Sequence, residues 1–109
     1  MMQVAQPGLN EALLRALDEA LGMFGESVRG VVYYYCEVKY GAKREELWRP
    51  EKLEALADCV AEIFGAASRI LEEQVLARLC EALNVDRASL PRGFKDALAY
   101  LATRYIARP

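Results

Sequence analysis

Residues 26–40, ESVRGVVYYYCEVKY, decide the fold. Val28, Val31, Val32, Tyr33, Tyr34, Tyr35 and Val38 all favour strands, and taken alone the run reads as a buried strand. A strand needs pairing partners, and no other segment of the 109 residues reads as one. The same residues fit a helix equally well. Val28, Val31, Tyr35 and Val38 make one stripe at helical spacing, and Arg29, Tyr33, Cys36 and Tyr40 make an adjoining one. The segment is therefore expected to be a helix ended by Gly41, since glycine suits the left-handed residue after a helix. Two adjoining stripes give it a wide apolar sector, so it is either central or part of an interface. With this segment helical, the fold is all-α.

The flanking segments read as helices without ambiguity. Leu9, Leu13, Ala16, Leu17, Ala20, Leu21 and Phe24 paint one face of a helix over residues 10–23, with Asn10 as N-cap and Gly25 as terminator. Residues 42–49 form a polar connector, and Pro50 suits the first turn of a third helix. Leu53, Leu56, Ala57, Val60, Ile63 and Phe64 are its inward face. A fourth helix spans about 66–83, with Leu71, Val75, Leu79 and Leu83 inward and Asn84 as the stop. Residues 86–93 lead to a fifth helix in which Phe94, Ala97, Leu98, Leu101 and Tyr105 align. Residues 1–8 are expected to be a disordered arm on a single domain spanning residues 1–109.

An internal repeat runs through these elements. Phe24-Gly25 is followed by Ser27 and Arg29, and 40 residues later Phe64-Gly65 is followed by Ser68 and Arg69. Lys43-Arg44-Glu45-Glu46-Leu47 recurs in shape as Asp86-Arg87-Ala88-Ser89-Leu90. A period of about 40 residues is one helical hairpin with its connector. The expected architecture is a five-helix bundle of two and a half hairpins, built by duplication.

Composition narrows the function classes. Apolar residues make up 54% and charged residues 28%, a globular balance. The net charge of −2 gives no overall field for nucleic acid or anionic lipid. Arg87, Arg92, Lys95, Arg104 and Arg108 nonetheless outnumber Asp96 in the last 23 residues, leaving −6 on the rest. No apolar run approaches the roughly 20 residues of a membrane span, and no secretory signal is expected at the start. Cys36, Cys59 and Cys80, an odd number and widely spaced, read as free thiols packed as small apolar groups in a cytoplasmic protein, in preference to disulfides or metal ligands.

The chain contains no histidine, which removes the commonest general base and the usual partner of a serine or cysteine nucleophile. Gly22, Gly25 and Gly30 lack the strand-to-helix setting of a phosphate loop. Neither cofactor, metal nor enzymatic activity is expected. Glu54, Asp58 and Glu62 form a row along the third helix that could dock a basic partner, including the cationic tail of a second copy. The plainer reading is a solvated helix face. Arg92, Lys95 and Arg104 are candidate phosphate contacts, though their wide spread disfavours nucleic acid as the partner. The tyrosines point about 100° apart, so they cannot all enter one core. Tyr35 is expected inward, leaving Tyr33 or Tyr34 for a partner surface with Trp48, while Gly30 lets a second helix approach.

Phe24-Gly25-Glu26-Ser27 opening an aromatic helix, then Gly41 and Lys43-Arg44-Glu45-Glu46-Leu47, resemble the first half of an archaeal family, the Nitrosopumilus output domain. Pro50, Leu53 and Leu56, then Ile63-Phe64-Gly65-Ala66-Ala67, Ile70-Leu71-Glu72 and Leu83-Asn84-Val85, resemble its second half. The similarity covers about 60% of the chain. It implies a small all-helical domain, found alone or joined to signalling and DNA-binding modules, and brings no catalytic residues with it. The expected role is a non-enzymatic interaction domain that self-associates, with a dimer favoured and a further protein partner allowed. The rival readings are a small-molecule sensor with a tyrosine- and cysteine-lined pocket between hairpins, and a weak nucleic-acid binder using the last helix.

Overall fold

The computed structural model describes the backbone of residues 8–106 and the side chains of residues 10–104. No strand occurs among the described residues. Four helices of about four turns run in sequence: α1 (Gly8–Gly22), α2 (Glu26–Tyr40), α3 (Pro50–Phe64) and α4 (Ser68–Leu83). A shorter α5 (Phe94–Leu101) follows and widens into a π-helical turn at Ala102–Ile106. Single 3₁₀ turns at Arg44–Glu46, Gly65–Ala67 and Arg87–Ser89 lie in the connections. Helix α1 starts two residues before Asn10, so Asn10 lies inside the helix and Gly8 belongs to it. The rest of the expected N-terminal arm, residues 1–7, lies outside the described residues, as do the side chains of Leu9 and Tyr105.

The strand-favouring run is helical because its inward residues find a core only in that conformation. Val32 and Cys36 are fully buried, while Val28, Tyr33, Tyr35 and Tyr40 pack half-buried against the same core. The stripe containing Tyr33, Cys36 and Tyr40 is therefore the inward one. The stripe drawn through Val28, Val31, Tyr35 and Val38 does not hold together, because Val31 and Val38 face outward.

Glycine fixes both ends of α2. Gly25 opens it with φ of 112°, and Gly41 closes it in the left-handed region with φ of 65°. Asn84 does the same for α4 at φ 58°, the described non-glycine residue with positive φ. At both ends the next backbone N–H turns back to a cysteine carbonyl. Ala42 donates to Cys36 O at 3.1 Å, and Val85 donates to Cys80 O at 2.9 Å.

The core is leucine-rich. Leu13, Leu17 and Leu21 of α1, Leu53 and Leu56 of α3, Leu79 of α4 and Leu98 and Leu101 of α5 are fully buried. Helix α1 packs most extensively on α4, and α3 on α5, while α2 lies against both α1 and α3. The two sequential helix pairs are thus interlocked. The short last helix lies mainly on α3, which buries Phe94, Ala97, Leu98 and Leu101.

Candidate functional site

Helix α2 has two chemically different faces. On the inward side, Tyr33 sends its hydroxyl to Asp18 of α1 and donates to Oδ1 at 2.7 Å. Arg44, in the 3₁₀ turn after α2, binds both oxygens of the same carboxylate, with Nε 3.1 Å from Oδ1. Asp18 thereby joins α1, α2 and the connector. Burial pushes its carboxyl up, but the hydrogen bonds from Arg44 and Tyr33 and the charges of Arg44 and Arg29 outweigh this and hold it below the ordinary value. Burial, and then the bond to Asp18, push the Tyr33 hydroxyl far up. Tyr33, expected as a partner contact, is half-buried and ties α2 to α1 through this bond.

Farther along α2, Tyr35, Lys39 and Tyr40 converge on Glu62 of α3. Tyr35 donates to Oε1 at 2.9 Å, Lys39 Nζ lies 2.8 Å from the same oxygen, and Tyr40 donates to Oε2. Bonds from Lys39, Tyr40 and Tyr35 hold Glu62 down at about 2, and the bond to Glu62 raises Tyr40 to about 12. Lys39 also lies over the rings of Tyr35 and Tyr40, at 5.5 and 5.6 Å from their centroids. The cluster fastens α2 to α3 at the surface.

These bonds change the reading of the acidic row. Glu62 is engaged with α2, and Asp58 receives Lys95 of α5 at 3.2 Å on each oxygen. Two carboxylates of the row thus already have partners within the chain, Lys95 on Asp58 and the α2 side chains on Glu62. Of the three, Glu54 has no partner among the described residues. The expected anion contacts are dispersed for the same reason. Lys95 is held by Asp58, and Arg104 lies 5.1 Å from the Tyr100 ring centroid. Arg92 instead lines a cavity of about 490 Å³ between α4 and the connector into α5, together with Arg69 and Arg87.

That cavity also differs from the expected pocket. Its polar wall carries arginine and glutamate, and its apolar part consists of Leu76, Leu90, Pro91 and Phe94, with neither tyrosine nor cysteine. Arg87 is paired with Glu73 at 3.2 Å, and Ser68 donates to Glu72 at 3.0 Å. Arg69 and Arg92 have no carboxylate partner among the described residues. No group of three or more acidic or cysteine side chains that could hold a metal occurs among those residues. No described helix is long and apolar enough to cross a membrane.

The outward face of α2 carries what sequence reasoning half missed. Val31, Tyr34 and Val38 are 51%, 71% and 65% exposed. With Ser27 and Gly41 they follow alternating steps of four and three residues (27, 31, 34, 38, 41), the spacing of a helix-pairing seam. Gly30 lies beside them, and a Cβ built there would meet nothing within 4 Å. Tyr34 and Gly30 lie on this outward face with Val31 and Val38, whereas Tyr33 turns toward α1. Trp48 is half-buried against the core, with the Arg49 guanidinium 5.2 Å from its ring centroid. The seam spacing was visible in the sequence, but it ran beside two other plausible stripes. The sequence marked Arg69 as part of the repeat and not as a charge lining a cavity.

No protein-family model, curated protein or solved structure matches the chain.

Proposed function

We propose that the chain is a non-enzymatic helical interaction domain that pairs with a second copy of itself through the outward face of α2. The observation that carries this reading is the exposed seam Val31–Tyr34–Val38, because a helix buried on one side gains nothing by presenting apolar side chains on the other. A second copy fits because the seam is self-complementary. Tyr34 is a knob and Gly30, one turn away, is a dent. A two-fold axis between them sets each tyrosine over the partner's glycine, as an isologous interface requires. The finer architecture belongs to the same proposal: a five-helix bundle of two and a half hairpins derived by duplication. The matching left-handed caps at Gly41 and Asn84, each followed by a 3₁₀ turn, support it. The resemblance of the packing and turn residues to the Nitrosopumilus output domain, found alone or joined to signalling and DNA-binding modules, is in keeping with a signalling or regulatory role.

Light scattering over a dilution series tests the pairing. Wild-type protein should run as a dimer that dissociates on dilution. Tyr34→Ala and Gly30→Leu should each weaken it at least tenfold, as about 1.4 kcal/mol at a central contact implies. A wild-type monomer at high concentration, or variants that keep the wild-type mass, would remove the proposal's support.

One observation favours a second reading. Arg69 and Arg92, without a carboxylate partner among the described residues, line the α4–α5 cavity with apolar Leu90 and Phe94. That arrangement suits a small organic anion, and thermal stabilisation by phosphate or citrate that is lost in Arg92→Ala would mark the sensor role.

A further inference from the structure

Cys36 of α2 and Cys59 of α3 meet across the seam between their helices. Both are 0% exposed, and their Sγ atoms are 2.8 Å apart. Two cysteines used only as small apolar fillers need not touch. Here the Cys36 thiol donates to the Cys59 sulfur, and no third polar side chain among the described residues is hydrogen-bonded to either sulfur. A disulfide has its sulfurs at about 2.05 Å, so closing this pair requires well under an ångström of movement. Cys80, buried elsewhere on α4, has no such neighbour.

We infer that Cys36 and Cys59 are a crosslinking site, closing a disulfide between α2 and α3 as the chain folds, with a low-molecular-weight disulfide such as oxidised glutathione as electron acceptor. One cysteine thiolate attacks a glutathione sulfur, breaks its S–S bond and expels one glutathione thiolate. The second cysteine thiolate attacks the protein sulfur of that mixed disulfide and expels the other. Two electrons pass to glutathione, and the two protons lost by the cysteines end on its two thiols.

The step belongs to folding because the finished core excludes it. In the native protein burial, and for Cys36 also the contact with Cys59, push the thiols up, so little thiolate is present. A tripeptide disulfide has no path to a fully buried sulfur. The same burial shelters the crosslink from reductants once it has closed. The cysteines are 23 residues apart, and the loop they close holds the connector and the first turns of α3. The crosslink also fixes α2 from behind, opposite its exposed seam.

The test is to refold the full chain from denaturant in a glutathione redox buffer and, separately, in excess dithiothreitol. Each sample is then denatured under acid quench, alkylated and weighed. The inference expects two of the three thiols to escape alkylation in the first sample, a mass below the dithiothreitol sample's by two alkyl additions and two hydrogens, and a linked pair of peptides holding Cys36 and Cys59. The oxidised protein should melt higher by on the order of 10 °C. Cys80→Ser should form the same crosslink to the same extent, and Cys36→Ser should lose the shift. Three alkylated thiols in folded protein from the glutathione buffer would overturn the inference, as would a crosslink that includes Cys80. Because wild type and Cys80→Ser decide the matter, a poorly folding Cys36→Ser does not blunt the test.

Discussion

Removing one oxygen atom from Tyr33 separates two roles that the triple tyrosine could have played. In Tyr33→Phe the ring keeps its place against the core, and only the hydroxyl that donates to Asp18 at 2.7 Å is lost. A hydrogen bond to a charged acceptor contributes about 1.5–3 kcal/mol. Asp18 is 28% exposed at its side chain and retains Arg44, so water and the remaining partner reduce the loss to about 1–2 kcal/mol. Asp18→Ala should cost more, about 2–3 kcal/mol, because it strands the Tyr33 hydroxyl and releases Arg44. In the Asp18→Ala background Tyr33→Phe should then cost almost nothing, giving a coupling energy of about 1–2 kcal/mol, the whole cost of the single substitution. Urea denaturation of the four proteins measures every corner of this cycle, at a protein concentration held constant because self-association would shift the midpoint. Tyr33→Phe should leave the mass in solution as it is in wild type. If the substitution changed stability by less than about 0.3 kcal/mol, or cost the same with and without Asp18, the network would not be the tie between α1 and α2 that the distances describe.

Stability should fall at both extremes of pH, for opposite reasons. Glu62 is depressed from 4.5 to about 2, so the stability from its bonds is complete above pH 4.5 and is lost as pH falls towards 2, together with that from the lowered Asp18. Tyr40 is raised from 10.0 to about 12, so its contribution is complete below pH 10 and is lost as pH rises towards 12; Glu62→Gln should blunt both edges in a melting-temperature profile. The left-handed caps give a second contrast. Gly41→Ala should cost about 1–2 kcal/mol by denaturant titration, and Gly41→Asn should cost much less, since Asn84 occupies the same conformation at the end of α4. Equal losses for alanine and asparagine would mean that something other than backbone conformation governs the position.

The sequence by itself determined the helices and most of their ends. Leu53, Leu56, Ala57 and Val60, or Leu71, Val75, Leu79 and Leu83, repeat at three and four residues, and such spacing fits only one local geometry. Pro50, Gly41 and Asn84 mark ends because their backbone preferences act within a single turn. The core was legible for the same reason, as was the choice of helix for the valine- and tyrosine-rich run once no pairing strand could be found.

Tertiary structure alone decided which way that run faces and which charges are free. Every rotation of α2 buries some valine or tyrosine, so local periodicity leaves its orientation open. It is settled by Tyr33 reaching Asp18, 15 residues away, and by Tyr35, Lys39 and Tyr40 reaching Glu62, 22 to 27 residues away. The acidic row looked available because a sequence shows neighbours along the chain and not across it. Asp58 is satisfied by Lys95, 37 positions on. The meeting of Cys36 with Cys59 is likewise a product of how α2 lies on α3. A helix fixes its own spacing through bonds four residues long, whereas the partner each side chain meets depends on how whole helices pack.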